Sequence, residues 1–284
     1  MHIYGLDFTS VPGRRKPITC AGAQLEGGRL SVETVERFNS FPEFEAFLHR
    51  PGPWRAGFDF PFGQPRRLLA EQRRGQEDWP TFVSWVAQRS GAAFAEWLTE
   101  YRRHRPYGDK QHRRETDRLA SACSPMMLYG VPVAKMFHGG APRLYAAGVS
   151  ILPMCPRPDP RVAIEAYPKL VAARYAAGGK YKTDERRHQT TERKATRDRI
   201  LDGLQAHVQE DFGFRLRLPR QIQASASEDP TGDTLDALLC SVQAAWSARC
   251  TMPPDGIPEG CDKFEGWIVD PQMLELKKGH SVAT

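Results

Sequence analysis

Apolar and polar positions in the first sixty residues follow a strand-like rhythm. Ile3 to Phe8 is a short apolar run that takes in Asp7, and Ile18 to Leu25 is a second. Glu26-Gly27-Gly28 supplies turn residues that tolerate positive φ. From Arg29 to Phe38, Leu30, Val32 and Thr34 alternate with Ser31 and Glu33. A period of two on either side of a glycine turn predicts an antiparallel meander of three strands. A short helix should follow, capped by Ser40, with Phe41, Phe44, Phe47 and Leu48 on one face. Ala56 to Phe60 reads as a buried strand stopped by Pro61, and Val162 to Ala166 as another closed by Pro168.

Between those two strands the period changes. Phe82, Val83, Trp85 and Val86, then Phe94, Trp97, Leu98 and Tyr101, recur at helical spacing. Residues 64–150 are therefore expected to be a helical insertion or lid within one domain spanning 1–284. Its basic stretches, Arg102 to Arg105 and Lys110 to Arg118, read as solvated. Tyr4, Trp97, Tyr107 and Tyr129 are expected to pack in the core or lid. His138, beside Gly139-Gly140, is expected in a flexible loop. Leu235, Leu238, Leu239, Val242 and Trp246 predict an amphipathic helix from Asp233 to Trp246. The tail at 253–284, rich in Pro and Gly, should pack over the surface, with Trp267 to Val269 adding an edge strand. Antiparallel strands followed by strand–helix alternation place the chain in the α/β class.

Composition narrows the function. The chain has 284 residues, 40% of them hydrophobic, enough for one sizeable core. It lacks a run of about 18 apolar residues, so no membrane span is expected. The N-terminus enters a strand pattern directly, without the features of a signal peptide. Six cysteines are scattered with no C-x-x-C pair, which argues against structural zinc. They read as reduced thiols of a cytoplasmic protein, with Cys20 and Cys240 buried. Net charge is +6, and the segment from Arg174 to Arg199 carries nine Lys or Arg against four Asp or Glu. That concentration suits a polyanionic partner, or else a solvated helix face with local ion pairs.

Acidic residues carry the candidate chemistry. Asp7, Asp59 and Glu165 each fall where a predicted strand gives out, the edge at which open α/β sheets bind ligands. An ionised carboxylate beside apolar strand residues is costly unless paired or bound to a cation. Asp233 and Asp236, three apart, share one face of the last amphipathic helix. That pair serves either as first-turn caps or as ligands; Asp7 or Asp59 alone has the alternative of a turn residue bonded to backbone amides. Converging carboxylates repel one another, and a hard divalent cation removes that penalty. Mg²⁺ or Mn²⁺ is the expected cofactor, in a two-metal-type site for phosphodiester cleavage. Lys180 and Lys182, beside Gly178-Gly179, are candidates for a substrate phosphate. So are the other basic and hydroxyl residues near these motifs: Thr9, Ser10, Lys169, Arg186 and Arg187.

The motifs G-L-D-F-T-S at 5–10, G-F-D-F-P-F-G at 57–63, A-I-E-A-Y-P at 163–168 and D-T-L-D-A-L-L-C at 233–240 together resemble domain-of-unknown-function family 429. The resemblance covers most of the chain, with a longer middle region at 64–150. It implies an RNase H-like mixed sheet, three antiparallel strands joined to parallel ones and flanked by helices, and a metal-dependent nuclease acting on DNA or RNA. More distantly, the order of acids resembles that of a Holliday-junction resolvase. Asp7 matches the first-strand acid there, Asp59 the later-strand acid, and Asp233 with Asp236 the paired acids of the last helix. Glu165 has no counterpart in that scheme, and is read as a metal ligand or as partner to a base such as Lys169. Two rival functions share this core. Gly-x-Asp-x-Thr-Ser after a first strand also resembles the phosphate-binding hairpin of the sugar kinase and actin-like ATPase group, although no second copy of the strand unit is present. A non-catalytic nucleic-acid binder would use the basic segment alone.

Overall fold

The computed structural model describes residues 1–282. Seven strands form one sheet: β1 (His2–Asp7), β2 (Ile18–Glu26), β3 (Arg29–Phe38), β4 (Trp54–Phe58), β5 (Ser150–Ile151), β6 (Arg161–Glu165) and β7 (Arg215–Arg217). Helix α1 (Phe41–Leu48) joins β3 to β4. Between β4 and β5 run α2 (Arg66–Glu71), α3 (Trp79–Ala87), α4 (Gly91–Arg103), α5 (Glu115–Leu119) and α6 (Val133–Ala146). After β6 come α7 (Pro168–Tyr175), α8 (Thr191–Phe212), α9 (Arg220–Glu228), α10 (Asp233–Arg249) and α11 (Pro271–Val282).

The strand order is β5-β6-β4-β1-β2-β3-β7. β2 runs antiparallel to β1 and β3, whereas β1, β4 and β6 are mutually parallel. Three antiparallel strands thus meet a parallel set between layers of helices, which is the RNase H-like arrangement. The parallel strands end together at one edge of the sheet, and the acids stand at that edge.

Strand residues alternate between two cores because successive side chains point to opposite faces. Leu6, Cys20, Trp54, Ala56 and Phe58 face α1 and the helices of 66–146, where Phe44, Phe47, Phe82, Phe94 and Phe137 pack. Each such aromatic removed from water contributes roughly 1.5–3 kcal/mol. Ile3, Ala21, Ala23 and Ile164 face the opposite way, toward α7, α8 and α10.

Several local features differ from the sequence-based expectation. α10 is not amphipathic but enclosed: residues 233–245 are all buried, polar ones included. Its polar residues find partners within the protein, as when Gln243 Oε1 accepts from Tyr167 N at 2.9 Å and its amide donates to Asp270 at 2.9 Å. His138 is not in a loop but inside α6, within 2.8 Å of Arg89 O through Nε2. Gly139 and Gly140 let that helix lie against Phe41 and Phe60. Tyr4 and Trp97 pack against the core as expected, but Tyr107 and Tyr129 are exposed. In the tail, Trp267, Ile268 and Val269 are buried, and Ile268 makes a single parallel bridge to Glu165 in place of an edge strand. Residues 283–284 of that tail lie outside the described residues.

Candidate metal centre

Gly5 and Gly57 sit opposite each other on β1 and β4, each two residues ahead of an aspartate. A period of two puts each glycine and its aspartate on the same face, the one covered by α10. A side chain at Gly5 would stand 2.1 Å from both Ala237 O and Ser241 N; one at Gly57 would stand 2.6 Å from Cys240 O. Only hydrogen at these two positions lets the α10 backbone descend onto the strands. That descent brings the first turn of α10 level with the ends of β1 and β4. Asp7 closes β1, and Asp59 follows the last residue of β4, with its N–H donating to Leu6 O at 2.9 Å.

Asp7, Asp59 and Asp236 consequently converge, one carboxylate oxygen from each lying within 4.8 Å of the others. Asp7 and Asp236 are buried and Asp59 is half-buried. Burial raises the Asp7 carboxyl well above the usual range, and the Asp233 and Asp236 charges add to the effect. Burial likewise pushes Asp59 up to about 7, with Lys182 opposing and Asp236 and Glu165 reinforcing. Three carboxylates brought this close are a poor set of isolated charges and a good set of hard-cation ligands.

Neither Asp233 nor Asp236 caps α10. Asp229 does so, accepting from the backbone N–H of Thr231 at 3.1 Å and of Thr234 at 2.9 Å. Asp236 instead accepts from the Tyr181 hydroxyl at 2.7 Å and pairs with Lys182. Asp233 is held by Lys16 Nζ at 3.1 Å, itself shared with Asp184 at 2.9 Å. The Lys182 ammonium is opposed by burial, yet Asp236, Tyr181, Asp7 and Asp59 hold its pKa well above the ordinary lysine value. Gly232, at φ +77°, lets Lys182 approach this helix start: a Cβ there would meet that of Lys182 at 2.7 Å.

Glu165 closes β6, but its partner is not Lys169. It forms a bidentate pair with the buried Arg114, at 2.6 and 2.8 Å, and accepts from Phe62 N–H at 2.9 Å. The same guanidinium grips Asp117 through two bonds of 2.7 and 2.9 Å. Glu165 thus ties the insertion to the sheet and stands outside the group of three. Burial raises its carboxyl, and Arg114 draws it back.

A cavity of about 550 Å³ opens beside this centre, and Asp59, Glu165 and Lys182 belong to its wall. Lys169 and Lys180, both exposed, also line it. Thr9 and Ser10 lie just past β1, half-exposed, and are not in that wall; nor are Arg186 and Arg187, which occupy an exposed 3-10 turn. Part of the basic segment proves structural. Arg197 is buried and donates to Tyr181 O and Ser227 O, both at 2.7 Å, so it positions the loop that carries Lys182.

Sequence reasoning did not find Lys16, Arg114 or Tyr181, which reach the acids from distant segments and carry no local signal. The repeated G-x-D of β1 and β4 was such a signal for the packing of α10. No described helix is long and apolar enough to cross a membrane. No curated protein and no solved structure matches the chain at a significant level. The family model described as protein of unknown function (DUF429) matches residues 5–256, a span that contains Asp7, Asp59, Glu165, Asp233 and Asp236. This protein is a member of the DUF429 family.

Proposed function

We propose that the protein hydrolyses phosphodiester bonds of nucleic acid with Mg²⁺ or Mn²⁺ held by Asp7, Asp59 and Asp236. The observation that carries this reading is the convergence of three carboxylate oxygens within 4.8 Å at the ends of two parallel strands and the start of a helix. An all-oxygen, anionic donor set fits a hard divalent cation and does not fit zinc in a structural role. When bound, such an ion polarises a phosphodiester oxygen and lowers the pKa of water. In the hydrolysis a water oxygen bonds to phosphorus, the ester P–O bond breaks, and the departing oxygen takes up a proton in place of the one the water loses.

The chain's own groups hold and orient. Lys182 Nζ keeps its protons against Asp236 and neutralises part of the cluster when no ion is present. Lys169 and Lys180, on the cavity wall, meet the charge of an incoming phosphate. Arg186 and Arg187, exposed beyond the wall, contact the strand farther along, and Thr9 and Ser10 offer hydroxyl donors close to Asp7 in the chain. Asp233 and Glu165, already engaged by Lys16 and Arg114, act as outer carboxylates that fix those cations. The described strands form a single sheet with no second copy of the unit, which disfavours the two-lobed phosphotransferase.

The test is cleavage of single-stranded, duplex and branched DNA, RNA and RNA–DNA hybrid with Mn²⁺, with Mg²⁺ and with chelator. Native protein is run beside Asp7→Asn. Cleavage that requires metal and disappears in the variant is the expected result; equal activity or equal inactivity removes the reading.

A further inference from the structure

The cavity beside the acids is larger than water and ions require and differs in character from them. At about 550 Å³ it falls within the roughly 300–1,000 Å³ of sites that enclose one small molecule. Its walls come from three places. The insertion supplies Val133 and Met136 on one side; α7 and the residue before it supply Tyr167 and Pro168 on the other; the ends of the parallel strands close the third. Exposed Lys169 and Lys180 stand on the same wall. An aromatic ring, apolar neighbours and two exposed ammonium groups, with Asp59 of the carboxylate cluster in the wall, match a base, its phosphate and a reacting ester.

The shape also speaks to strandedness. Proteins that read the base edges of an intact duplex lay a projecting helix or ribbon into a groove about 12 Å wide. Here the protein is the concave partner, and Asp59 lies in the wall of the recess. A base reaches such a place only when it has left its stack, as in enzymes that act on extruded nucleotides.

We propose that this cavity receives one unpaired nucleotide. The base lies against Tyr167, Pro168 and Met136, its phosphate faces Lys169 and Lys180, and the adjoining ester reaches Asp59. The assignment rests on the nuclease reading for the last of these contacts only. It specifies the substrate as nucleic acid with a free or single-stranded nucleotide in place of continuous duplex.

Cys123 gives an independent readout, because it is exposed and lines the same cavity. The rate of its alkylation, followed by peptide mass spectrometry with Cys261 as internal control, is measured with AMP, with a short single strand and with blunt duplex. AMP and the single strand are expected to slow Cys123 at least fivefold, and duplex is not. Tyr167→Ala should weaken the AMP effect about five- to 100-fold, the range for loss of one stacked base, and Tyr167→Phe should restore it. Lys180→Ala, on an exposed loop, should weaken it as well and serves if Tyr167→Ala fails to fold. Protection by AMP but not by the strand overturns the nucleic-acid form of the assignment. No protection by either overturns the site itself.

Hydrolysis of bis(p-nitrophenyl) phosphate with Mn²⁺ separates the two readings, since that small diester needs the acids and not the cavity. Hydrolysis without nucleotide protection removes the cavity assignment alone. Protection without hydrolysis removes the nuclease reading and leaves a nucleotide site.

Discussion

Gly5 on β1 stands in register with Gly57 on β4, and the backbone of α10 rests on both. Two missing side chains thus fix the height of the helix that delivers Asp236. Gly5→Ala places a methyl group 2.1 Å from Ala237 O and Ser241 N, which only a shift of the helix or strand relieves. Overpacking of this kind costs about 3 kcal/mol. Urea unfolding of the chelated variant should show that loss. Mn²⁺ affinity should fall with it, because Asp236 moves with the helix. An unfolding midpoint equal to the native one would contradict the packing described.

Asp7→Asn separates stability from metal binding. It removes one of three converging charges, so the chelated variant should melt no lower than the native protein. Native protein with Mn²⁺ at one hundred times its Kd gains about 2.7 kcal/mol, and the variant should gain almost none. Thermal melts with and without Mn²⁺ settle the point. An unchanged gain in Asp7→Asn places the ion elsewhere.

The pH dependence follows from the raised carboxyls. Asp59 in the folded protein titrates at about 7, whereas in the unfolded chain it does so near 4. Across that window the folded state retains a proton that the unfolded state has shed. The contribution is complete below about pH 4 and is lost as pH rises through about 7. Native protein minus Asp59→Asn, both chelated, isolates the group: the difference in stability should turn against the native protein with rising pH. The Mn²⁺ gain should grow over the same range, because the ligands must be deprotonated. A difference that favours the native protein more as pH rises carries the opposite sign and refutes the assignment.

Lys182 bonds Asp236 and lies near Asp7 and Asp59, so it occupies electrostatic ground that a cation would share. Lys182→Met should lower the melting temperature of the chelated protein, since Asp236 loses its charged partner. It should raise Mn²⁺ affinity, read by titration calorimetry. Weaker Mn²⁺ binding in the variant would mean that the lysine assists the ion.

Arg114→Met leaves Glu165 and Asp117 buried without their cation, a loss of about 3–5 kcal/mol. Adding Glu165→Gln should recover part of it. Chemical denaturation of the single and double variants gives the coupling, and strict additivity would show that the two side chains act independently.

Much of this architecture was legible in the chain. Alternation at 18–38 announced the meander, and its strand ends agree with the observed β2 and β3 to within one residue. Asp7 and Asp59 were singled out because a charge at the end of an apolar run needs a reason, and Asp236 because it shares a helix face with Asp233. What stayed hidden was long-range. Periodicity says which positions of α10 are apolar, but its polar positions are buried too, because Tyr167 and Asp270 arrive from elsewhere to satisfy Gln243. For the same reason Glu165 looked like a ligand until Arg114, fifty-one residues away, supplied its partner.

Burial of α10 through residues 233–245 has a consequence for the proposed ion. Asp236, the third proposed ligand, hangs from the interior of the molecule and not from a loop that would close on arrival. Bringing like charges together is completed when the chain folds, and an entering ion has no segment left to order. Its binding should therefore alter charge and leave secondary structure unchanged. A carboxylate cage whose spacing is set by backbone packing also does not contract around a small ion or widen for a large one. Discrimination among divalent ions would then fall to their own hydration and preferred oxygen distance, about 2.0–2.1 Å for Mg²⁺ against 2.3–2.6 Å for Ca²⁺.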